Sequence, residues 1–330
     1  MDDISHDSAT MQLPFAQRPI VILGAGIIGC ATAHQLLQHG FSVVLVAEFL
    51  PGDQDITYAS AWAGAAWHPA GGITPNQRYI QAITHRVLLK MAQDPDSGVS
   101  IVDFREMSQG EYPDNFHSAW AYQTPVTDPT LHIPYLKKKI IGMGGIFIRH
   151  RARSLQELFD KFPESRIFIN ASGLGSKTLE DVQDDHCFAE RGQNVFLRTD
   201  KFHTMYFRNG QEYTYIIPRP LSQGVVLGGV KQTDNLSPDV DPYIAQDEIA
   251  RAHRLAPDIV PSQPAVEDIS HIIGIRSSRR GGYRLDSEQR GDNTVLSAYG
   301  FGGGGYAFSY GIADALLKMV EKTERAKLID

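Results

Sequence analysis

Residues 19–29 read Pro19-Ile20-Val21-Ile22-Leu23-Gly24-Ala25-Gly26-Ile27-Ile28-Gly29, and this stretch decides the fold. Its opening residues are apolar and largely β-branched, which predicts a short buried parallel strand. The glycines that follow have the G-x-G-x-x-G spacing. Gly24 permits a tight turn, Gly26 lets backbone approach a pyrophosphate, and Gly29 lets a helix pack close to the strand. A helix is expected over 30–39, stopped by Gly40, and a second β-branched strand over 41–46. Glu48 comes 19 residues after Gly29, at the end of that second strand. The whole is a strand–turn–helix–strand unit of the dinucleotide-binding kind.

The chemistry follows from the spacing. A helix N-terminus offers N–H groups and a positive dipole to phosphates. A carboxylate at Glu48 accepts hydrogen bonds from a ribose diol and repels a 2′-phosphate, so FAD or NAD is favoured over NADP. A second glycine turn, Gly302-Gly303-Gly304-Gly305, precedes a helix expected over 306–322. A nicotinamide enzyme needs no second helix terminus of this kind. The N1–C2=O edge of an isoalloxazine, negative when reduced, does benefit from one.

Composition bounds the rest. The chain has 330 residues and a net charge of −7. That acidic balance disfavours a dedicated nucleic-acid binder. Cys30 and Cys187 are too few for a secreted disulfide framework and indicate a reducing compartment. No apolar run is long enough to span a membrane. No zinc motif and no nucleophile elbow is present, so no metal is expected. Residues 1–18 lack the pattern of a signal peptide and read as a tail.

Further strands are expected at 146–148 and 166–170, helices over 76–93 and 134–139, and antiparallel sheet over 202–230. Strands of the nucleotide unit and of the sheet region alternate along the chain. The fold class expected is α/β, with two interleaved domains; that these are a Rossmann-like FAD-binding domain and an α+β substrate domain on a large antiparallel sheet is what the family resemblance given below implies. The boundaries expected are 19–75, 130–180 and 265–330 for the first domain, and 76–129 and 181–264 for the second.

The substrate wall can be read from strand alternation. Arg208-Asn209-Gly210-Gln211 signals a two-residue turn pairing Arg208 with Gln211, which puts Arg208, Tyr213 and Tyr215 on one face. A second hairpin centred at Ser222 or Gln223 brings Lys231 opposite Tyr213 or Tyr215. A bulge would reverse that placement. Arg276 adds a third cation, whose fork matches a carboxylate. Arg279, Arg280 and Arg284 read as a solvated basic turn around Gly281-Gly282.

The sequence resembles the D-amino-acid oxidase family of FAD-dependent flavoproteins, which includes D-aspartate oxidase. The matching stretches are 21–29, Ala59-Ser60-Ala61-Trp62-Ala63-Gly64-Ala65-Ala66-Trp67-His68-Pro69, Asn170-Ala171-Ser172-Gly173-Leu174-Gly175, Arg191-Gly192-Gln193, Tyr215-Ile216-Ile217-Pro218-Arg219-Pro220, Leu227-Gly228-Gly229, Gly274-Ile275-Arg276 and Ala298-Tyr299-Gly300-Phe301. They occur in the family's order.

The resemblance implies non-covalent FAD. Gly24, Ala25, Gly26, Ile27, Ile28, Gly29 and Glu48 would hold pyrophosphate and ribose. Ala59, Ser60, Gly64, Ala65 and Ala66 would line the flavin or its phosphates, and Ala152 and Ser172 would lie near adenine and pyrophosphate. Gly302, Gly303, Gly304, Gly305, Tyr306 and Ala307 would meet the pyrimidine edge.

Tyr215 and Arg276 match the binders of the substrate α-carboxylate, and the Gly303 carbonyl matches the acceptor for the amine. Arg208, Lys231 and His68 would meet an acidic side chain. The implied reaction turns a D-amino acid and dioxygen into a 2-oxo acid, ammonia and hydrogen peroxide, with D-aspartate or D-glutamate preferred. A neutral D-amino-acid oxidase and a glycine or amine oxidase are the alternatives. A homo-oligomer is possible in such a frame, although the sequence fixes no oligomeric state. The cytoplasm is the expected compartment and the peroxisome the alternative, since the Ala326-Lys327-Leu328 tripeptide is not terminal.

Overall fold

The computed structural model describes residues 18–69, 73–107, 120–208, 210 and 212–327. Along the chain its strands are β1 (Ile20–Leu23), β2 (Val43–Ala47), β3 (Val99–Met107), β4 (Trp120–Thr127), β5 (Ile146–Arg149), β6 (Ile167–Asn170), β7 (Cys187–Arg198), β8 (Thr204–Arg208), β9 (Thr214–Arg219), β10 (Gly224–Gly228), β11 (Gln232–Thr233), β12 (Ile269–Arg279), β13 (Arg284–Arg290) and β14 (Asn293–Tyr299). Its helices are α1 (Ile27–Gln38), α2 (Pro75–Met91), α3 (Pro129–Gly142), α4 (Leu155–Lys161), α5 (Pro242–Leu255) and α6 (Gly305–Lys327).

One sheet has the strand order β13-β14-β6-β1-β2-β5. It is parallel except for β13, which hairpins onto β14. β1 and β2 are buried at every position, which explains their unbroken apolar runs. α1 leans on this sheet, and α6 packs beside α1 in the same core, with Leu36, Ile312 and Leu316 inaccessible.

The other sheet runs β11-β7-β10-β9-β8-β3-β4, with β12 on the far side of β7. It is antiparallel apart from the β3–β8 pair. α5 covers one face through Ala245, Ala252 and Leu255, which pack on Val195, Ile216 and Leu227. The opposite face carries Met205, Phe207, Tyr215 and Ile217.

The helices start where capping chemistry allows. Thr74 and Gln77 make a reciprocal capping box ahead of α2, with Pro75 in its first turn. Asp128 caps α3 by accepting from the Thr130 N–H at 3.0 Å, so that helix begins before the expected 134 and carries Pro134 inside it. Asp241 caps α5 in the same way. The pattern reading assigns no element to β3, β4, α4 or α5.

The expected turn at 208–211 is corrected. Arg208 pairs with Thr214, and Phe207 pairs with Tyr215. The connection therefore runs over 209–213, of which Asn209 and Gln211 lie outside the described residues. Burying Met205, Phe207, Tyr215 and Ile217 in one apolar cluster sets this register, and a one-residue slip would turn one strand's pair away from the cluster. Arg208 consequently shares a face with Thr214, not with Tyr215. The chain turns at 280–282 with Arg280 exposed, as expected, but Arg279 and Arg284 are paired: Arg279 binds Asp184 at 2.9 Å and Arg284 binds Asp286 at 2.7 Å. The tail assigned to 1–18 lies outside the described residues, Arg18 apart.

Among the described residues no helix is long and apolar enough to cross a membrane, and no cluster of metal-ligating side chains occurs.

Candidate active site

The first sheet builds a groove at the carboxyl ends of β1 and β2. Gly24 sits there at φ +108°, and a β-carbon on it would run into the Ala171 carbonyl. Gly29 lets α1 lie against β1, since a β-carbon there would strike the Gly24 carbonyl. The N-cap of α1 is Gly26, which brings no side-chain cap. The Ile27 N–H donates to Ser60 Oγ at 2.9 Å. The resulting cavity, about 330 Å³, is lined by Gly24, Ala25, Gly26, Glu48, Ala152 and Ser172 among others. Glu48 pairs with Arg151 at 3.4 Å. A glycine cradle, a helix N-terminus whose N-cap is glycine and a carboxylate past β2 suit the phosphates and ribose of a dinucleotide.

Ala59 and Ser60 also line a second cavity, of about 130 Å³, which places the two side by side. Its polar groups include His68, Asn194, Tyr213, Tyr215 and Arg276, and its apolar walls include Trp62, Met205, Phe207 and Ile217. Gly302, Gly303 and Gly305 close it from the start of α6, and a β-carbon on Gly305 would lie 3.8 Å from Ile27. The N-termini of α1 and α6 thus meet at this cavity.

Tyr215 is buried, and its hydroxyl donates to Asn194 Oδ1. Burial holds its phenol above the usual tyrosine range, so the ring stays a neutral donor. Arg276 lies over Gly192, donates to the Val230 carbonyl at 3.0 Å and stands 3.7 Å from Glu190. His68 packs on Phe207 at 4.4 Å between centroids, and burial lowers its pKa, which keeps it neutral.

The loop between these groups is pinned through its backbone. Buried Arg219 donates to the Ala63 carbonyl at 2.7 Å, the Thr127 N–H to the Ala65 carbonyl at 2.8 Å, and Tyr306 to the Ser60 carbonyl at 2.8 Å. Cys30 points its thiol at the Ala25 carbonyl, and burial pushes it up to about 12, so it is not a nucleophile.

Most expected residues gather at the two cavities. Gly24, Ala25, Gly26, Glu48, Ala152 and Ser172 line the first, and Ala59 and Ser60 line both. Ile27, Gly64, Ala65, Ala66, His68, Tyr215, Arg276, Gly302, Gly303, Gly305 and Tyr306 line the second. Ile28, Gly29, Gly304, Ala307, Arg208 and Lys231 line neither. Arg208 donates to Glu212 at 3.0 Å. Lys231 is exposed, with its ammonium 4.8 Å above the Tyr213 ring. Asn194 and Glu190 were not foreseen; they follow from alternation along β7 once Gly192 is placed.

The profile of the FAD dependent oxidoreductase family (DAO) matches residues 19–94 and 86–319. The chain is 29% identical over 343 residues to a D-amino-acid oxidase of Schizosaccharomyces pombe, covering 94% of this chain and 98% of that one. It is 29% identical over 363 residues to a D-aspartate oxidase of Talaromyces thermophilus, covering 93% and 96%. Its fold superposes on glycine oxidase from Geobacillus kaustophilus with a TM-score of 0.72 at 14% identity, over 93% and 95% of the two chains. With both cavities in place and the profile spanning both sheets, the chain belongs to the DAO family of FAD dependent oxidoreductases.

Proposed function

We propose that this protein oxidises D-amino acids, with FAD bound non-covalently in the groove of the first sheet. One observation carries the reading: Arg276 and Tyr215 both line one small cavity that adjoins the dinucleotide groove through Ala59 and Ser60. An arginine fork and a neutral phenol are donors matched to an α-carboxylate. Relatives named for D-amino acids support the chirality.

Bound FAD would accept the two electrons and hydrogen leaving the substrate Cα, which with the proton lost from the amine reduce dioxygen to hydrogen peroxide, while the imino acid hydrolyses in water to a 2-oxo acid and ammonia. The protein's part is orientation and electrostatics. Arg276 holds the carboxylate, and the Tyr215 hydroxyl turns its one proton from Asn194 Oδ1 to the carboxylate when substrate binds. Gly303, at the cavity wall, offers its carbonyl to a neutral amine. The N-terminus of α6 favours negative charge at the edge it faces.

The apolar walls Trp62, Met205, Phe207 and Ile217 favour neutral side chains. The acidic preference expected from the sequence needed Arg208, Lys231 and His68 on the wall. Arg208 is engaged by Glu212 and His68 is kept neutral, so that reading now stands on Lys231 beside Tyr213. It is the second reading. An oxygen-consumption panel of D-alanine, D-methionine, D-aspartate, D-glutamate and glycine tests both. Turnover of D-alanine and D-methionine above D-aspartate supports the first. D-aspartate above all others supports the second. Turnover of glycine alone, or of none, contradicts the D-amino-acid reading.

A further inference from the structure

Glu190 is absent from the residues that line either cavity, yet its position on β7 ties it to the arginine of the site. Antiparallel pairing sets Arg276 directly opposite Glu190 and Gly274 opposite Gly192. Side chains alternate along a strand, so Glu190, Gly192 and Asn194 point to one face. That is the cavity face, because Gly192, Asn194, Gly274 and Arg276 all line the cavity. Gly192 has no side chain, so the guanidinium of Arg276 extends across β7, with one edge toward Tyr215 and the other toward Glu190. The Glu190 carboxylate stands 3.7 Å from Arg276 Nη1, and the two side chains are 14% and 19% exposed.

We infer that Glu190 is a specificity residue: a built-in counter-ion of Arg276 that leaves the site enough positive charge for one carboxylate and handicaps substrates that bring two. The inference rests on the reading that Arg276 receives the α-carboxylate.

The charges around it agree. Arg276 is the cation that lines the cavity and Glu190 is its anion, while the exposed Lys231, over Tyr213 and outside the cavity lining, leaves one net positive charge in the neighbourhood. Tyr213 lies within the fields of both Arg276 and Glu190 and carries the Lys231 ammonium over its ring. His68 is neutral there. Behind the sheet, Arg251 pairs with Asp247 at 2.8 Å, Arg191 donates to the Ser237 carbonyl at 2.8 Å and to Gln232 at 2.7 Å, and burial keeps the Glu248 carboxyl protonated at neutral pH. An α-carboxylate reaching Arg276 from the cavity finds its charge partly spent on Glu190. A side-chain carboxylate meets the same anion with less compensation.

The test uses the FAD-loaded protein and its Glu190→Gln variant, which keeps the shape and removes the charge. Acetate, a carboxylate with no amine to oxidise, is titrated while the visible flavin spectrum is followed. Steady-state kinetics are then taken with D-alanine and D-aspartate. The expected result is acetate affinity rising on the order of tenfold, as for a partly buried ion pair. KM for D-alanine should fall with kcat nearly unchanged. The ratio of kcat/KM for D-aspartate over D-alanine should rise by about tenfold or more. Glu190→Asp keeps the charge and should keep the wild-type ratio. If Glu190→Gln does not fold, Glu190→Ser is read the same way.

An unchanged ratio and unchanged acetate affinity overturn the inference. Weaker acetate binding also overturns it, since Glu190 would then be holding Arg276 in place. Arg276→Met separates the layers. If it abolishes acetate binding while Glu190→Gln is silent, only the inference falls. If acetate still binds to Arg276→Met, the carboxylate sits elsewhere, and the reading of the site falls too.

Discussion

The guanidinium of Arg276 occupies the space that a side chain at Gly192 would fill: a β-carbon there would lie 2.5 Å from Nη2. The two residues come from neighbouring strands, in the registers that place Gly274 opposite Gly192 and Arg276 opposite Glu190. The glycine is therefore part of the arginine's orientation.

Gly192→Ala should displace the guanidinium from the Tyr215 side of the cavity. We expect about a 100-fold loss in kcat/KM for every D-amino acid, the scale of a misplacement near 1 Å. The melting temperature and FAD content should stay close to wild type. Retained kinetics in a folded, FAD-loaded variant would show that Arg276 is not oriented through this gap.

Gly29→Ala puts a β-carbon onto the Gly24 carbonyl and forces α1 away from β1. Overpacking of this kind costs about 1–3 kcal/mol. Because α1 carries the N-terminus that faces the groove, FAD affinity should fall together with stability. A thermal melt of the apoprotein and a titration quenching FAD fluorescence measure the two separately.

Removing FAD should lower stability by mass action. At free FAD about 100 times its Kd, the holoprotein gains about 2.7 kcal/mol over the apoprotein. Differential scanning calorimetry across a series of FAD concentrations should show a rising Tm. No dependence would mean that the groove does not take the cofactor.

Glu248 on α5 gives a pH dependence. Among the described residues neither of its carboxyl oxygens has a hydrogen-bond partner, and burial raises its pKa from 4.5 to about 9. The native state then keeps a proton that the unfolded chain releases above about pH 4.5. The contribution is fully present below that pH and is lost as pH rises toward about 9. Glu248→Gln has no proton to lose, so its stability relative to wild type should climb between pH 5 and pH 9. Urea melts at both ends of that range check it; a constant difference would place the carboxyl in an ionised state throughout.

The parts legible in the sequence were those fixed by local geometry. The turn at Gly24 and Gly29, the buried β1 and β2, and the glycine run before α6 each answer to a backbone requirement that spacing reveals. Arg208 was misplaced because Asn209-Gly210 signals a tight turn strongly, whereas the register is set by burial of Phe207 and Tyr215 across the sheet. No local pattern carries that long-range packing. The Glu190–Arg276 pair was invisible for the same reason: the residues are far apart in sequence and meet only through the β7–β12 register. The second hairpin centres between Leu221 and Ser222 instead of at Ser222 or Gln223, and β10 ends at Gly228, so Lys231 reaches the Tyr213 ring from beyond the strand and not by pairing opposite it.

The most direct measurement mixes the FAD-loaded protein with D-alanine in the absence of oxygen and follows the visible flavin band. The account predicts that the band bleaches with D-alanine, stays with L-alanine, returns on admitting air with release of hydrogen peroxide, and stays with D-alanine when Arg276 is replaced by Met. A flavin that D-amino acids leave oxidised, or one that bleaches equally well without Arg276, would contradict it.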